Sequence, residues 1–233
     1  MAIQTYLAMT AAECQSCEAF PEHIAWMACH FSPYGSGLSN LPPALPPGSL
    51  LILNDRIPIA GHDPDRIAKQ LQMTVNQFRC RGLLLDFQRP CVEEIRHLIE
   101  GLLKALPCPV AVADIYAQAF GCPVFLSPCP HHVPLSEYIR PWKEREIWLD
   151  LAADAETILL SKSRCQITAL PLGELPETGH RDTLLHCHYA IHTEPDFAEF
   201  ILWRTAEDQE QLSKEAETLG IQNAISLFLE TRL

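Results

Sequence analysis

Short apolar runs recur along the chain at Ile3–Met9, Ile24–Phe31, Leu50–Leu53, Gly82–Phe87, Pro109–Ala113 and Pro123–Leu126, which predicts six strands before residue 127. Helical patterns separate several of them. Asp63-Pro64-Asp65 offers an N-cap, a Pro at the first helical position and an acidic first turn ahead of Ile67, Leu71 and Phe78. Val92, Ile95, Leu98, Leu102 and Leu106 recur at helical steps until Pro107 stops the pattern. Near the end, Thr205 caps a helix that turns Leu212, Ala216 and Leu219 inward, Gly220 terminates it, and Ala224–Leu229 reads as a last buried strand.

Between residues 145 and 203 the alternation fails. Glu146–Leu151, Thr157–Leu160, Gln166–Leu170, Leu184–Ile191 and Glu199–Trp203 are strand-like with little helix between, and turns are expected near Lys162-Ser163-Arg164 and Glu194-Pro195-Asp196. The Pro-rich run at 41–48 reads as a stiff surface loop between the second and third strands. Strand and helix in alternation imply a mostly parallel sheet. Closing the last strand beside the first makes it an α/β (β/α)8 TIM-barrel-like domain spanning residues 1–233, with a β-rich insertion at about 145–203 in its seventh unit. An open doubly wound sheet is the alternative, although no Gly-rich phosphate fingerprint follows any early strand.

Composition narrows the function classes. Seventeen basic against 29 acidic residues give a net charge of −12, which argues against nucleic acid and against an anionic membrane surface. No apolar run approaches the ~18 residues of a spanning helix. The first Lys or Arg is Arg56, so no positively charged export signal opens the sequence, and the ten cysteines are expected to stay reduced in a cytoplasm.

In a parallel barrel the chemistry sits at the C-terminal strand ends. Those ends here are His30, Ser32 and Tyr34, then Asn54, Asp55 and Arg56, then Asp86-Phe87-Gln88-Arg89, followed by Asp114 and Tyr116, Ser127, and Glu230. The most specific stretch is Arg81-Gly82-Leu83-Leu84-Leu85-Asp86-Phe87-Gln88-Arg89-Pro90. It resembles the signature strand of family 18 glycoside hydrolases, the chitinase-like barrels, whose pattern is Asp-Gly-x-Asp-x-Asp-aromatic-Glu, often followed by x-Pro. Gly82, Asp86, Phe87 and Pro90 match. Arg81 and Leu84 replace the first two aspartates, and Gln88 replaces the glutamate that serves the family as general acid. An amide can hydrogen-bond a sugar but cannot donate a proton catalytically.

The resemblance therefore implies a degenerate glycosidase barrel that binds a glycan without the standard hydrolysis. Asp86 keeps the position that orients the substrate's N-acetyl group, and Gln88 occupies the degenerate catalytic position. Tyr34, Asn54, Asp55, Asp114, Tyr116 and Glu230 are the expected ligand-binding residues. A rival reading keeps hydrolysis with a non-standard acid, Asp86, Asp114 or Glu230, since two carboxyls across one cleft can divide acid and base roles. A third is a structural or interaction protein betrayed by a self-pairing β edge. No cofactor is expected. His186, His188 and His192 share one side of a strand by period two, and Cys129-Pro130-His131-His132 lies in a loop, but alternating polar residues on a wet hairpin face account for them without a metal. Cys14 and Cys17 have redox-motif spacing without its Trp, Gly or Pro context.

Overall fold

The computed structural model describes residues 2–17, 19–35 and 37–228. In chain order the elements are β1 (Gln4–Met9), α1 (Ala11–Ser16), β2 (Ile24–Phe31), β3 (Leu38–Ser39), β4 (Leu50–Asn54), α2 (Pro64–Phe78), β5 (Gly82–Asp86), α3 (Glu93–Ala105), β6 (Val110–Ala113), α4 (Asp114–Ala117) and β7 (Val124–Leu126). There follow α5 (Leu135–Tyr138), β8 (Ile147–Asp150), β9 (Ala155–Ser161), β10 (Cys165–Ala169), β11 (His180–Asp182), β12 (Cys187–Glu194), β13 (Phe197–Trp203), α6 (Ala206–Thr218) and β14 (Asn223–Leu227).

Eight strands, β1, β2, β4, β5, β6, β7, β8 and β14, pair in parallel, and β1 joins both β2 and β14. Those two pairings close the sheet into a TIM-type barrel and exclude the open doubly wound alternative. Side-chain alternation then divides the core in two. Tyr6, Ala8, Leu50, Ile52, Leu84, Ala111, Phe125, Trp148 and Ile225 fill the barrel interior. Leu51, Leu53, Leu83, Leu85, Val110 and Val112 belong to a larger buried cluster with Ile67, Leu71 and Val75 of α2 and Ile95, Leu98 and Leu102 of α3.

The caps act where the residues predict them. The Asp63 side chain accepts from the backbone N–H of Asp65 at the start of α2, which ends at Arg79 in the left-handed conformation. Thr205 and Asp208 form a reciprocal capping box on α6, and Gly220 follows with φ +87. Leu219 departs from expectation, since α6 ends at Thr218 and the Leu219 side chain is 39% exposed. The Pro-rich loop at 41–48 carries no regular element, as its Pro content dictates.

The β-rich excursion is shorter than its composition suggests. Ile147–Asp150 pairs in parallel with β7 and β14, so it is the seventh barrel strand, and the excursion proper runs from 155 to 203. It is an antiparallel five-stranded sheet in the order β10-β9-β13-β12-β11. Both expected turns occur, Lys162–Arg164 between β9 and β10 and Pro195–Asp196 between β12 and β13. The strand expected at Leu184–Ile191 starts only at Cys187, because the Asp182 carboxylate takes the N–H groups of Leu184 and Leu185 into a turn.

Candidate functional site

The signature strand explains its own spacing once it is placed in the barrel. Positions 82, 84 and 86 of β5 share the face turned toward the barrel interior. Gly82 lies deep inside, where an added Cβ would come within 2.5 Å of the Trp148 ring, so the absence of a side chain makes room for that indole. Leu84 is buried in the interior above it. Asp86 reaches the C-terminal end half-buried, and Gln88 stands exposed beyond it.

The Gln88 amide Nε2 donates to Asp86 Oδ1 at 2.6 Å. Burial raises the Asp86 carboxyl above its ordinary range, the bond from Gln88 opposes this, and the nearby Asp55 charge adds to the rise. Asp55 is itself buried, and its two oxygens accept from the backbone N–H groups of Gln88 (3.0 Å) and Arg89 (2.8 Å). Arg89 returns its guanidinium to the carbonyls of Asp55 (2.8 Å) and Arg56 (3.0 Å). The ends of β4 and β5 are thereby locked together. Asn54, Asp55, Arg56, Asp86, Gln88 and Arg89 line an open depression of about 390 Å³.

Tyr116 does not offer its face to that depression. It is 2% exposed, meets Phe87 edge-on, and donates its hydroxyl to the Arg89 carbonyl. Burial, with Asp55 and Cys91 contributing, pushes that hydroxyl up to about 12. Tyr34 is the opposite case, 89% exposed in the loop after β2. Asn54 donates to the Met27 carbonyl and accepts from the Arg56 N–H, bracing the strand end. Asp114 is exposed at the start of α4, where its carboxylate takes the Ile115 N–H. Glu230 lies outside the described residues.

Two further residues converge on the strand ends. Asp150 terminates β8, half-buried, with Oδ1 accepting from the Ala152 N–H at 2.9 Å. Tyr138 of α5 donates to the Ser127 carbonyl at 2.9 Å, and burial, with the charges of Asp114 and Asp150, raises its hydroxyl above the ordinary range. Period two was the available signal for Asp150, which follows the interior Trp148 by two positions. It is hidden when 145–203 is read as one irregular block.

The histidines singled out in the sequence are engaged with carboxylates or backbone. His186 pairs with Glu215 at 2.9 Å, His188 with Asp208 at 2.7 Å, and His192 approaches Glu194 at 3.3 Å. His131 is fully buried, bonded to the Asp154 carbonyl and near Glu156, to which His132 also bonds. Among the described residues no group of three or more His, Cys, Asp or Glu is placed to hold a metal ion. Among the same residues, no helix is long and apolar enough to cross a membrane. A hollow of about 460 Å³ lies on the barrel's outer side, lined by α6, Thr5 of β1 and Ser226 of β14 together with Leu151, Leu172 and Leu175, away from the signature strand.

No protein-family model and no curated protein matches the chain. Solved structures do. An N-acetylglucosaminidase of glycoside hydrolase family 18 from Paenibacillus barengoltzii superposes with a TM-score of 0.62 at 12% identity, covering 97% of this chain and 94% of that one. A chitinase from Chromobacterium violaceum gives 0.60 at 11%, covering 97% and 93%. A family 18 chitinase from Cycas revoluta, a mutant in complex with (GlcNAc)4, gives 0.57 at 11%, covering 95% and 94%. At such identities the likeness is one of fold: a glycoside-hydrolase-like barrel.

Proposed function

We propose that the C-terminal end of the barrel binds a glycan of the N-acetylglucosamine type and does not hydrolyse it by the standard route. The observation that carries this is the pair at the end of β5. A half-buried carboxylate, Asp86, is held by an amide, Gln88, that occupies the position of the general acid in the resembling signature. Asp86 and Gln88 line the depression with Asn54 and Arg56, so acceptors and donors suited to hydroxyl and acetamido groups share one surface. The exposed ring of Tyr34 is a stacking face for a sugar extending past the rim. Tyr116 and Asp55 act indirectly by pinning the backbone of Gln88 and Arg89. The acidic balance of the chain favours a neutral glycan over a polyanion, and a cytoplasmic location with reduced cysteines belongs to the same proposal.

The test is a thermal-shift series with N-acetylglucosamine oligomers. A ligand at a hundredfold excess over Kd stabilises by about 2.7 kcal/mol, which is several degrees for a chain of this size. The expected shift disappears in Asp86→Ala. No shift with any oligomer rejects the reading. Gln88→Glu then asks whether a titratable group at that position brings turnover of a chitin oligomer.

A second reading is favoured by the raised Asp86 carboxyl, since an upward shift is the direction in which a general acid is tuned. Here Asp86 would be the acid, with Asp114 or Glu230 as partner. Turnover on a glycoside panel by the wild type, abolished in Asp86→Asn, would select it over binding alone.

A further inference from the structure

We propose that the five-stranded sheet is a self-association module, in which β10 pairs antiparallel with β10 of a second copy of this chain about a two-fold axis through Ile167. The two outer strands of the sheet are unlike. β11 is three residues long and carries Arg181 and Asp182, the charged and short kind of edge that resists pairing. β10 runs Cys165-Gln166-Ile167-Thr168-Ala169 with no charge and no Pro, and Ile167 is 49% exposed.

Hydrogen-bond phase decides which residues face outward. Ser161 N–H donates to the Arg164 carbonyl and Leu170 N–H to the Ala155 carbonyl, so positions 164, 166, 168 and 170 are turned toward β9. Antiparallel alternation therefore directs the N–H and C=O groups of Cys165, Ile167 and Ala169 to the free edge. Three consecutive outward positions centred on Ile167 form a self-complementary set. In a two-fold pair Ile167 meets its own copy, and Cys165 meets Ala169 at both ends.

The side chains agree with that register. Ile167, Ile158, Phe200 and Ile191 lie directly opposite one another across β10, β9, β13 and β12, forming an apolar row, half-open to solvent, on one face of the sheet. Ile167 is its outermost member, so pairing about Ile167 joins two four-residue rows into one of eight. A second copy is thus the occupant that the edge and the row fit together, independently of any ligand at the barrel mouth.

Sedimentation velocity from micromolar to millimolar protein is expected to show the mass doubling with concentration. Ile167→Lys, which charges the edge, is expected to remain monomeric with an unchanged circular dichroism spectrum. In a Cys165→Ser background, Ile167→Cys is expected to form a disulfide-linked dimer with oxidised glutathione, since hydrogen-bonded antiparallel partners sit about 5.5 Å apart at Cα, within disulfide reach. Gln166→Cys, whose position is turned toward β9, is expected to cross-link far more slowly. A monomer at every concentration, a dimer that survives Ile167→Lys, or equal cross-linking through positions 166 and 167 each overturns the proposal.

Discussion

Asp55 illustrates how a residue at a strand end can matter without touching a ligand. Its carboxylate is buried and spends both oxygens on the backbone of Gln88 and Arg89, so truncation strands two N–H groups. Asp55→Ala is expected to cost about 1–3 kcal/mol in urea unfolding for each donor left without a partner. Asp86 behaves oppositely. Its carboxyl is raised by burial, so at neutral pH the charged form works against the fold, and Asp86→Asn is expected to raise Tm while weakening any glycan-dependent shift. Glu156 supplies the acid-side dependence. Burial pushes it up, but hydrogen bonding and charge from His131 and His132 outweigh this and hold it at about 2, against an ordinary 4.5. A carboxyl lowered by folding stabilises fully above pH 4.5, and that contribution is lost as pH falls toward 2. Unfolding measured from pH 5 downward is therefore expected to be less steep in Glu156→Gln.

At the level of elements, β5 couples the barrel core to the strand end. Gly82 gives Trp148 its space, and Trp148 in turn anchors the base of β8 through its Nε1 bond to Glu146 at 2.8 Å, a carboxylate that also accepts from Asn223 of β14. Gly82→Ala must displace the ring or the strand. An overpacking cost of about 1–3 kcal/mol is expected, read as a lower urea midpoint, and a matching Trp148→Phe is expected to recover part of it. The five-stranded sheet is tied to the barrel at its base. Arg204, buried at the end of β13, donates to the Cys129 carbonyl at 2.7 Å, and Cys187 reaches the His131 carbonyl. Its distal rows and the β10 edge remain open.

For the whole molecule, the alternation of apolar runs and capped helices was enough to order the first six barrel strands, the last helix and the final strand, because burial on both faces writes itself as continuous apolar segments. Asp86 and Gln88 stood out for another reason, the position of 81–90 at a strand end and its resemblance to a signature strand. The middle of the chain resisted for a physical reason. A seventh barrel strand and an antiparallel hairpin look alike over four residues, and only the parallel pairing of β8 with β7 and β14 separates Asp150 from the excursion that follows. Barrel closure is likewise a long-range fact, made by β1 meeting β2 and β14. The sequence by itself determined the first six barrel strands, the caps of α2 and α6, and an amide, Gln88, standing two positions after Asp86. Tertiary structure alone decided that Tyr116 turns into the core, that Asp55 serves the backbone, that Asp150 joins the strand ends, and that β10 keeps an open edge. Those outcomes depend on which surfaces meet, and no local pattern of polarity encodes the partner that an outward side chain or an edge N–H will find.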